Sequence, residues 1–423
     1  MAKAHPIPKI HHNLTMRVLS MHPTTPLSML LVLLLLLSGA SQAFDPESLA
    51  WEPRNGFPGD GRHHPVCFAN TTHGFVLTGS TATETYTSDF WVYEAATDTW
   101  TDLSETSSAF PGAARTQSYG VAATLDCSNT KAYLGFGFSD GTILNDWWSF
   151  DMATHEWKQL ADFPGEGRRH PAMNFVEAVG EIHVGLGDGI YGNYNDYWSY
   201  SIEKDEWTQL DDFPSSQRHH PFYFSINSDS YVGLGHDNFG IARDWFRYDA
   251  LDGSWNQEND FASYSWSDSS VPITTEARVA GTEFSVAGSC DSETTLGFVL
   301  SGDGDDHYAM ASGEFHVFDP TSGDWHELPP HPGFSRWAPG SFVLQGTSQV
   351  YLLGGYDRLF GIYFSDLWTM DVKSLFEEDA SESNESDTAT INGDSSLVES
   401  GANRLYCFVS VIVATSSLLA LVF

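Results

Sequence analysis

Six arginines recur at matching places of a repeated pattern in this 423-residue sequence, and in three places a histidine follows two residues later. The arginines are Arg62, Arg115, Arg168, Arg218, Arg278 and Arg336, and the histidines are His64, His170 and His220. A guanidinium donates two parallel hydrogen bonds, which suits a carboxylate. An imidazole gains charge near pH 6.5. The set therefore predicts a site for an acidic sugar or an acidic peptide loop, which would bind more strongly in mild acid.

The composition limits what such a site can bind. The chain has 56 acidic and 19 basic residues, for a formal net charge of −37. Binding of nucleic acid or of an anionic lipid surface through net charge needs a basic footprint, so both are excluded. The 14% aromatic share and the 37 glycines favour an all-β protein. The acidic balance fits a secreted or surface protein.

The arginines and histidines belong to a repeated unit. Five segments end in tryptophan with an acidic residue eleven positions earlier; they are 89–100, 146–157, 196–207, 244–255 and 314–325. A glycine pair or a related sequence such as Leu77-Thr78-Gly79 ends an apolar strand before each acid. Alternating apolar runs and turns then predict four strands per unit. The arginine precedes the first strand, and the tryptophan lies on the fourth.

These units resemble the kelch repeat over roughly residues 51–371, with arginine, glycine pair, aromatic residue and tryptophan in the kelch order. The resemblance implies an all-β, six-bladed kelch-type β-propeller with four antiparallel strands in each blade. The last unit lacks its fourth strand, whereas the segment from Trp51 to Pro58 matches a fourth strand with no unit before it. We expect this N-terminal strand to complete the last blade and close the ring.

In a propeller the first strand of each blade lines a central channel, so we expect the six arginines to surround one channel mouth, with the histidines beside them. Two alternatives stay open at this stage: kelch-like arginines also bond loop carbonyls or the repeated aspartates, and the histidines suit hydrogen-bonded turns. We expect no metal site, because three histidines from different blades should lie too far apart for bonds of ~2 Å. The insertion that contains Tyr264 and Trp266 is expected to overhang the mouth.

The sequence contains no nucleophile elbow, Walker loop or HExxH motif, and no residue indicates galactose-oxidase chemistry. We therefore expect no cofactor and interpret the chain as a monomeric module that binds a protein or glycan through one face of the ring. The alternative is a carbohydrate-active enzyme similar to a sialic-acid mutarotase, which would need an acid/base pair in the channel. A structural coat protein is a third possibility.

The two ends predict a route to the cell surface. Residues 1–43 have a basic start, a short apolar run and small residues at the end, which is typical of a signal peptide; Met16 or Met21 are possible starts. Residues 405–423 are apolar and follow small residues and a polar spacer, which is typical of a glycosylphosphatidylinositol (GPI) signal attached at Gly393 or Asp394. A single membrane-spanning helix is the alternative.

The propeller is assigned to residues 44–376, and residues 377–404 form an acidic, Ser/Thr-rich stalk that we expect to be disordered. Asn70 and Asn384 are in glycosylation sequons of the mature region. Cys67, Cys127 and Cys290 are an odd number, so they cannot all pair within the chain, and no disulfide framework is indicated. We expect the protein on the extracellular face of the plasma membrane.

Overall fold

The computed structural model describes residues 49–376, apart from 125–126, 128–129, 262, 266–267, 274–275, 288, 290–293 and 305–306. Within this part the chain is all-β, with two short 3₁₀ turns, Glu177–Val179 and Lys373–Leu375, and no α-helix. Six antiparallel sheets form the blades of a β-propeller, as the sequence predicts. The inner strands of neighbouring blades pack in sequence order, and the sixth packs against the first, so the ring is closed.

The first three blades each contain four strands, which run in order from the inner to the outer strand. Blade 1 contains Val66–Ala69, His73–Leu77, Phe90–Glu94 and Thr99–Asp102; blade 2 contains Tyr119–Thr124, Thr130–Gly135, Trp147–Asp151 and Glu156–Gln159; blade 3 contains Ala172–Val176, Glu181–Gly185, Tyr197–Ser201 and Glu206–Gln209.

The last three blades follow the same order. Blade 4 contains Phe222–Ile226, Asp229–Gly233, Trp245–Asp249 and Ser254–Gln257; blade 5 contains Thr282–Ala287, Thr295–Leu300, Gly313–Asp319 and Asp324–His331; blade 6 contains Gly340–Val343, Gln349–Leu353, Leu367–Asp371 and Glu52–Arg54.

Blade 6 takes its outer strand from the N-terminal end of the propeller. Glu52 pairs with Thr369 and Arg54 pairs with Leu367 in antiparallel register. Trp51 packs its ring against Phe315 of blade 5, with the centroids 5.6 Å apart. The predicted closure is confirmed: the two ends of the propeller share one sheet, which leaves neither end as an unpaired edge.

The insertion between blades 4 and 5 lies at the periphery of the ring. Strands Ser263–Ser265 and Asp268–Ile273 form a hairpin, and Ser263–Ser265 pairs in parallel with the outer strand of blade 5. The sequence-based expectation that Tyr264 would overhang the channel mouth is therefore wrong, since three strands separate its strand, Ser263–Ser265, from the inner strand Thr282–Ala287. Trp266 lies outside the described residues.

Pairs of two-residue strands and the chain segments that enter the inner strands cover one face of the ring, which we call the arginine face. One pair joins Arg62–His63 with Ser80–Thr81, and three are hairpins: Phe138–Ser139 with Thr142–Ile143, Asp188–Gly189 with Gly192–Asn193, and Tyr356–Asp357 with Ile362–Tyr363. The opposite face carries the turns between the inner and second strands, and we call it the hairpin face. A β-carbon on Gly137, whose φ is +93°, would lie 2.5 Å from the carbonyl oxygen of Thr116, so the glycine pair permits close chain crossing at the arginine face.

Aromatic side chains fill the spaces between the blades. Trp157, on the outer strand of blade 2, lies 5.5 Å from Phe90 of blade 1 and 4.6 Å from Phe150 of its own blade, measured between ring centroids. Trp207 of blade 3 contacts Trp147 of blade 2 in the same way, at 5.3 Å. The repeated tryptophans therefore pack neighbouring blades together and are used by the core.

The described cysteines and the glycosylation sequon have defined places. Cys67 is a free thiol and Cys127 is in a disulfide, which answers for these two cysteines the question of pairing that the sequence left open. Asn70 lies in the first turn of the hairpin face, where its Oδ1 accepts hydrogen bonds from the backbone N–H groups of Thr72 and His73. Within the described part, no helix is long and apolar enough to cross a membrane. The signal peptide, the stalk, Asn384, Gly393, Asp394 and the apolar tail lie outside the described residues.

Removal of residues 44–58 should open the ring. The third strand of blade 6, Leu367–Asp371, would then expose its edge, and exposed edges pair between molecules. We expect the shortened chain to aggregate, while a chain that begins at residue 44 stays monomeric by size-exclusion chromatography with light scattering. A monomeric shortened chain with an unchanged melting temperature would contradict the closure.

Candidate functional site

Each of the six arginines is buried and reaches a carboxylate at the start of the third strand of its own blade. The pairs are Arg62–Asp89, Arg115–Asp146, Arg168–Asp196, Arg218–Asp244, Arg278–Glu314 and Arg336–Asp366. The pattern is the same in every blade, with glutamate in place of aspartate in blade 5. The arginines therefore form a repeated internal contact.

Blade 3 shows what this contact connects. The two terminal nitrogens of Arg168 donate to the two carboxylate oxygens of Asp196, each at 2.8 Å, and one of them also donates to the carbonyl oxygen of Leu186 at 3.0 Å. The guanidinium carbon lies 4.5 Å from the centre of the Phe163 ring. Burial raises the pKa of Asp196, but the hydrogen bonds and charge of Arg168 outweigh it and hold the pKa below its ordinary value.

In four blades, the phenylalanine that packs under the guanidinium follows a sequence pattern that the sequence analysis did not use. Phe57, Phe110, Phe163 and Phe213 each precede an arginine by five residues, are followed by proline and lie under that arginine in the structure. The aspartates accept the arginine fork and, in four blades, also a tryptophan indole N–H.

One alternative was that the arginines bond loop carbonyls or the repeated aspartates and have a structural role. The structure shows the carboxylate partners that this alternative requires. A ligand-binding role for Arg62, Arg115, Arg168, Arg218, Arg278 and Arg336 stays a prediction. None of these six guanidiniums is left without a carboxylate partner among the described residues.

The three histidines meet on the axis of the ring. His64, His170 and His220 each follow an arginine by two residues, and each has a left-handed backbone, with φ of 54°, 52° and 48°. The same position in the other blades is also left-handed and is occupied by Gln117, Ala280 and Ala338. A left-handed residue here is uncommon for side chains other than glycine and costs conformational energy. The turn places one side chain from each blade in a ring, and we call its three imidazoles the axial histidine cluster.

The axial histidine cluster is compact and almost inaccessible to solvent, with relative exposures of 4–5%. One ring nitrogen from each histidine lies within 4.8 Å of the other two. Nε2 of His64 is 3.0 Å from Nε2 of His220, and the rings of His170 and His220 stack at 3.5 Å between centroids. The expectation that the three side chains lie too far apart to share a ligand is wrong, because the ring is narrow at this level.

Further histidines and a tryptophan surround the cluster towards the arginine face. Nδ1 of His63 is 2.6 Å from Nδ1 of His64. His219 stacks obliquely on His170 at 5.9 Å between centroids, and the Trp337 ring lies 5.0 Å from that of His220. Burial and mutual repulsion lower the pKa of His64 and His220 well below the ordinary value, and lower the pKa of His63 and His219 to about 4.

Because those pKa values are lowered, these four imidazoles are neutral between pH 5 and pH 7. Burial also lowers the pKa of His170, and the nearby Asp188 opposes this effect. The expected gain of positive charge near pH 6.5 is therefore not supported by the environment of the cluster. A neutral imidazole is a hydrogen-bond donor and acceptor, and it is also the form that binds metal ions.

A cavity of about 840 Å³ extends along the axis from His64 towards turns of the hairpin face such as Asn227 and Gly346. Two further rings of side chains line it. The residues five after each arginine are Cys67, Gly120, Met173, Tyr223, Glu283 and Ser341; the residues seven after are Ala69, Ala122, Phe175, Ser225, Ser285 and Val343. Since alternate residues of a strand share a face, these two levels belong to one face of the six inner strands, and residues of the other register such as Tyr119 also reach the cavity.

Glu283 is the carboxyl group in the middle of this cavity. Burial raises its pKa well above the ordinary value, and a hydrogen bond from Tyr223 opposes the rise only in part. Burial raises the pKa of Tyr119 from blade 2 well above its ordinary value, and the nearby carboxyl group of Glu283 raises it further. A carboxyl group with a raised pKa keeps its proton to a higher pH than usual, and in its protonated form it can donate a hydrogen bond to a ligand. No acid in the channel was expected from the sequence.

Comparison with known proteins adds no assignment: a scan against protein-family models and a search of curated proteins each found no match to this chain.

Loss of Asp196 should destabilise blade 3. In the Asp196→Ala variant the guanidinium of Arg168 stays buried without a carboxylate, and breaking a buried pair in this way costs about 3–5 kcal/mol. Lys158→Ala is the control, because Lys158 is 70% exposed and 3.9 Å from Asp205, and such surface pairs contribute about 0–1 kcal/mol. Urea unfolding measures both values. Equal, small losses for the two variants would contradict a structural role for the pair.

Proposed function

We propose that the protein is a secreted, membrane-anchored, kelch-type propeller that binds a sugar, free or at the end of a glycan, in its axial cavity. The single observation that carries this proposal is the cavity itself. Its volume of about 840 Å³ lies within the range of about 300–1,000 Å³ that small-ligand sites occupy. The kelch assignment is supported by the six blades and by the arginine–carboxylate pair repeated in each of them.

The lining suits a neutral polyhydroxylated ligand. Ser225, Ser285 and Ser341 offer hydroxyl groups, and Tyr119 and Tyr223 offer ring faces that can pack against the apolar side of a sugar. Glu283, whose pKa burial raises, adds a hydrogen-bond donor in its protonated form. No lysine or arginine is among the described residues that line the cavity, so a negatively charged ligand has no fixed counter-charge there.

An acidic ligand, which the sequence favoured, would have to bind at the arginine face. Arg169 is one guanidinium near the axis there, and it is paired with Asp188; Arg358 lies over the Trp337 ring at 3.8 Å and 3.4 Å from Asp303. These charges are already offset within the chain. The cavity therefore supports a neutral sugar better than it supports an acidic glycan, sialic acid or an acidic peptide loop.

Location at the cell surface is part of the proposal. The disulfide of Cys127 supports folding in an oxidising compartment, as the signal peptide predicts. The apolar residues 405–423 with the small residues before them support a GPI anchor, and the acidic stalk would hold the propeller away from the membrane.

Catalysis on the bound sugar is the second candidate function, and Glu283 is the observation that favours it. A protonated carboxyl group beside two tyrosines can act as a general acid if a bound ring or glycosidic oxygen lies within hydrogen-bond reach. Glu283→Gln separates binding from turnover: it keeps a donor of the same shape but cannot transfer a proton. Sugar binding without turnover by the native protein supports the binding module.

Blocking the cavity should abolish sugar binding. Ala122 lines the cavity on the inner strand of blade 2, and Ala122→Trp would fill the space. Ala153 is exposed in a turn of the same blade, so Ala153→Trp is the matched control. A glycan array followed by calorimetry on the best sugar should show at least a tenfold weaker affinity for Ala122→Trp and no change for Ala153→Trp. No binding to any sugar, or equal binding by both variants, would overturn the proposed cavity site.

Phospholipase C specific for inositol lipids should release the full-length protein from intact cells, because a GPI anchor places the only membrane attachment in a lipid. The control replaces residues 405–423 with a membrane-spanning segment followed by basic residues, which the enzyme cannot release. Mass spectrometry of the released chain should end at Gly393 or Asp394. A native chain that stays in the membrane and retains Phe423 would instead establish a spanning helix.

A further inference from the structure

We propose that His64, His170 and His220 bind one divalent transition-metal ion of the zinc class on the propeller axis. This site is separate from sugar binding and does not depend on it. It also goes against the sequence-based expectation of no metal, which rested on the separation between blades.

The spacing of the cluster fits an ion. Zinc–nitrogen bonds of about 2.0–2.1 Å in a tetrahedral arrangement put two ligand nitrogens about 3.3 Å apart. Nε2 of His64 and Nε2 of His220 are 3.0 Å apart, and the third histidine offers a nitrogen within 4.8 Å of both. Small rotations of the rings would bring all three nitrogens to one ion.

Two nitrogens of the cluster are unused. Nε2 of His170 and Nδ1 of His220 are buried and have no hydrogen-bond partner among the described residues. A buried polar atom without a partner loses its hydration and gains nothing in return, at a cost of about 1–3 kcal/mol. Contacts between imidazoles give partners to His63, to both nitrogens of His64 and to one nitrogen of His220. They give no partner to Nε2 of His170.

His170 is also oriented as a metal ligand. Its Nδ1 lies 2.8 Å from Oδ1 of Asp188, and Arg169 holds the other carboxylate oxygen. When Nδ1–H donates to Asp188, Nε2 carries the free lone pair. Most metal-binding histidines donate their other ring N–H to a carboxylate, a backbone carbonyl or a water, which orients the ring and makes the ligand nitrogen more basic.

Three imidazoles with no carboxylate or carbonyl ligand favour zinc, copper, nickel or cobalt over calcium or magnesium, which prefer oxygen. Three protein ligands also leave a fourth position for water or for an oxygen of a bound molecule. His64 lines the axial cavity, so this position would border the space proposed for the sugar.

Blade 2 provides the substitution for the test. Gln117 occupies the same left-handed position as the three histidines, with φ of 58°, so glutamine is compatible with this backbone. His170→Gln and His220→Gln therefore remove a ligand without forcing a new turn. His183→Gln is the control, since His183 is also buried, at 1% exposure, but lies on the second strand of blade 3 with its Nδ1 3.0 Å from the hydroxyl of Ser230.

The full-length protein, purified in detergent and stripped with a chelator, is titrated with Zn²⁺ and with Co²⁺. We expect one ion per chain by elemental analysis, a visible Co²⁺ spectrum of nitrogen coordination, and a higher melting temperature with Zn²⁺. Asp188→Asn should weaken binding about 10–100-fold, as loss of such an orienting carboxylate does. His170→Gln and His220→Gln should weaken it more, and His183→Gln should bind as the native chain does.

A folded native protein that binds neither ion would overturn the proposal, and so would unchanged Zn²⁺ affinity in folded His170→Gln and His220→Gln. Melting curves by circular dichroism establish that each variant is folded. If either glutamine variant fails to fold, the Co²⁺ spectrum of the native chain and the affinity of Asp188→Asn still decide the outcome. Sugar binding is measured separately, so its failure does not affect this result.

Discussion

The pairing of one buried arginine with one carboxylate in each blade is the contact on which the rest of the propeller depends. In blade 3, Arg168 joins the start of the inner strand to Asp196 before the third strand and to the carbonyl of Leu186 after the second. A guanidinium suits this position because it donates several bonds in fixed directions and stays charged when buried. Three strands of the blade are thereby held at one end, next to the axis.

A fixed arginine also fixes the residues that follow it. The residue two positions later turns towards the axis, and the residues five and seven positions later line the cavity. The backbone repeats almost identically in each blade, so the chemistry of the axis is set by the side chains that differ between blades at these positions. Histidine in three blades at the first level and Glu283 and Tyr223 in two blades at the second level break the symmetry. The axis is consequently imidazole-rich at the arginine face and hydroxyl-rich towards the hairpin face.

Most of the fold could be predicted because each blade repeats the same short-range pattern. The unmatched strand before Arg62 and the missing strand after Met370 even predicted which two segments would pair. The meeting of His64, His170 and His220 could not be predicted, since it depends on the width of the ring at the left-handed turn. The path of the insertion near Tyr264 was missed for a related reason: its length and composition do not specify which edge it will join. Glu283 was missed because strand alternation counted from Arg278 directs Thr282 inwards, whereas the left-handed turn at Ala280 shifts the alternation by one residue and turns Glu283 to the cavity.

A crystal structure of the protein grown with Zn²⁺ at neutral pH, with diffraction recorded at the zinc absorption edge, tests the central claim most directly. That claim is that arginine–carboxylate pairs deliver three imidazoles to one point on the axis. The account predicts one anomalous peak about 2.0–2.1 Å from a nitrogen of His64, His170 and His220, with Arg168 still bonded to Asp196. Imidazoles that point away from one another, with no peak on the axis, would contradict it.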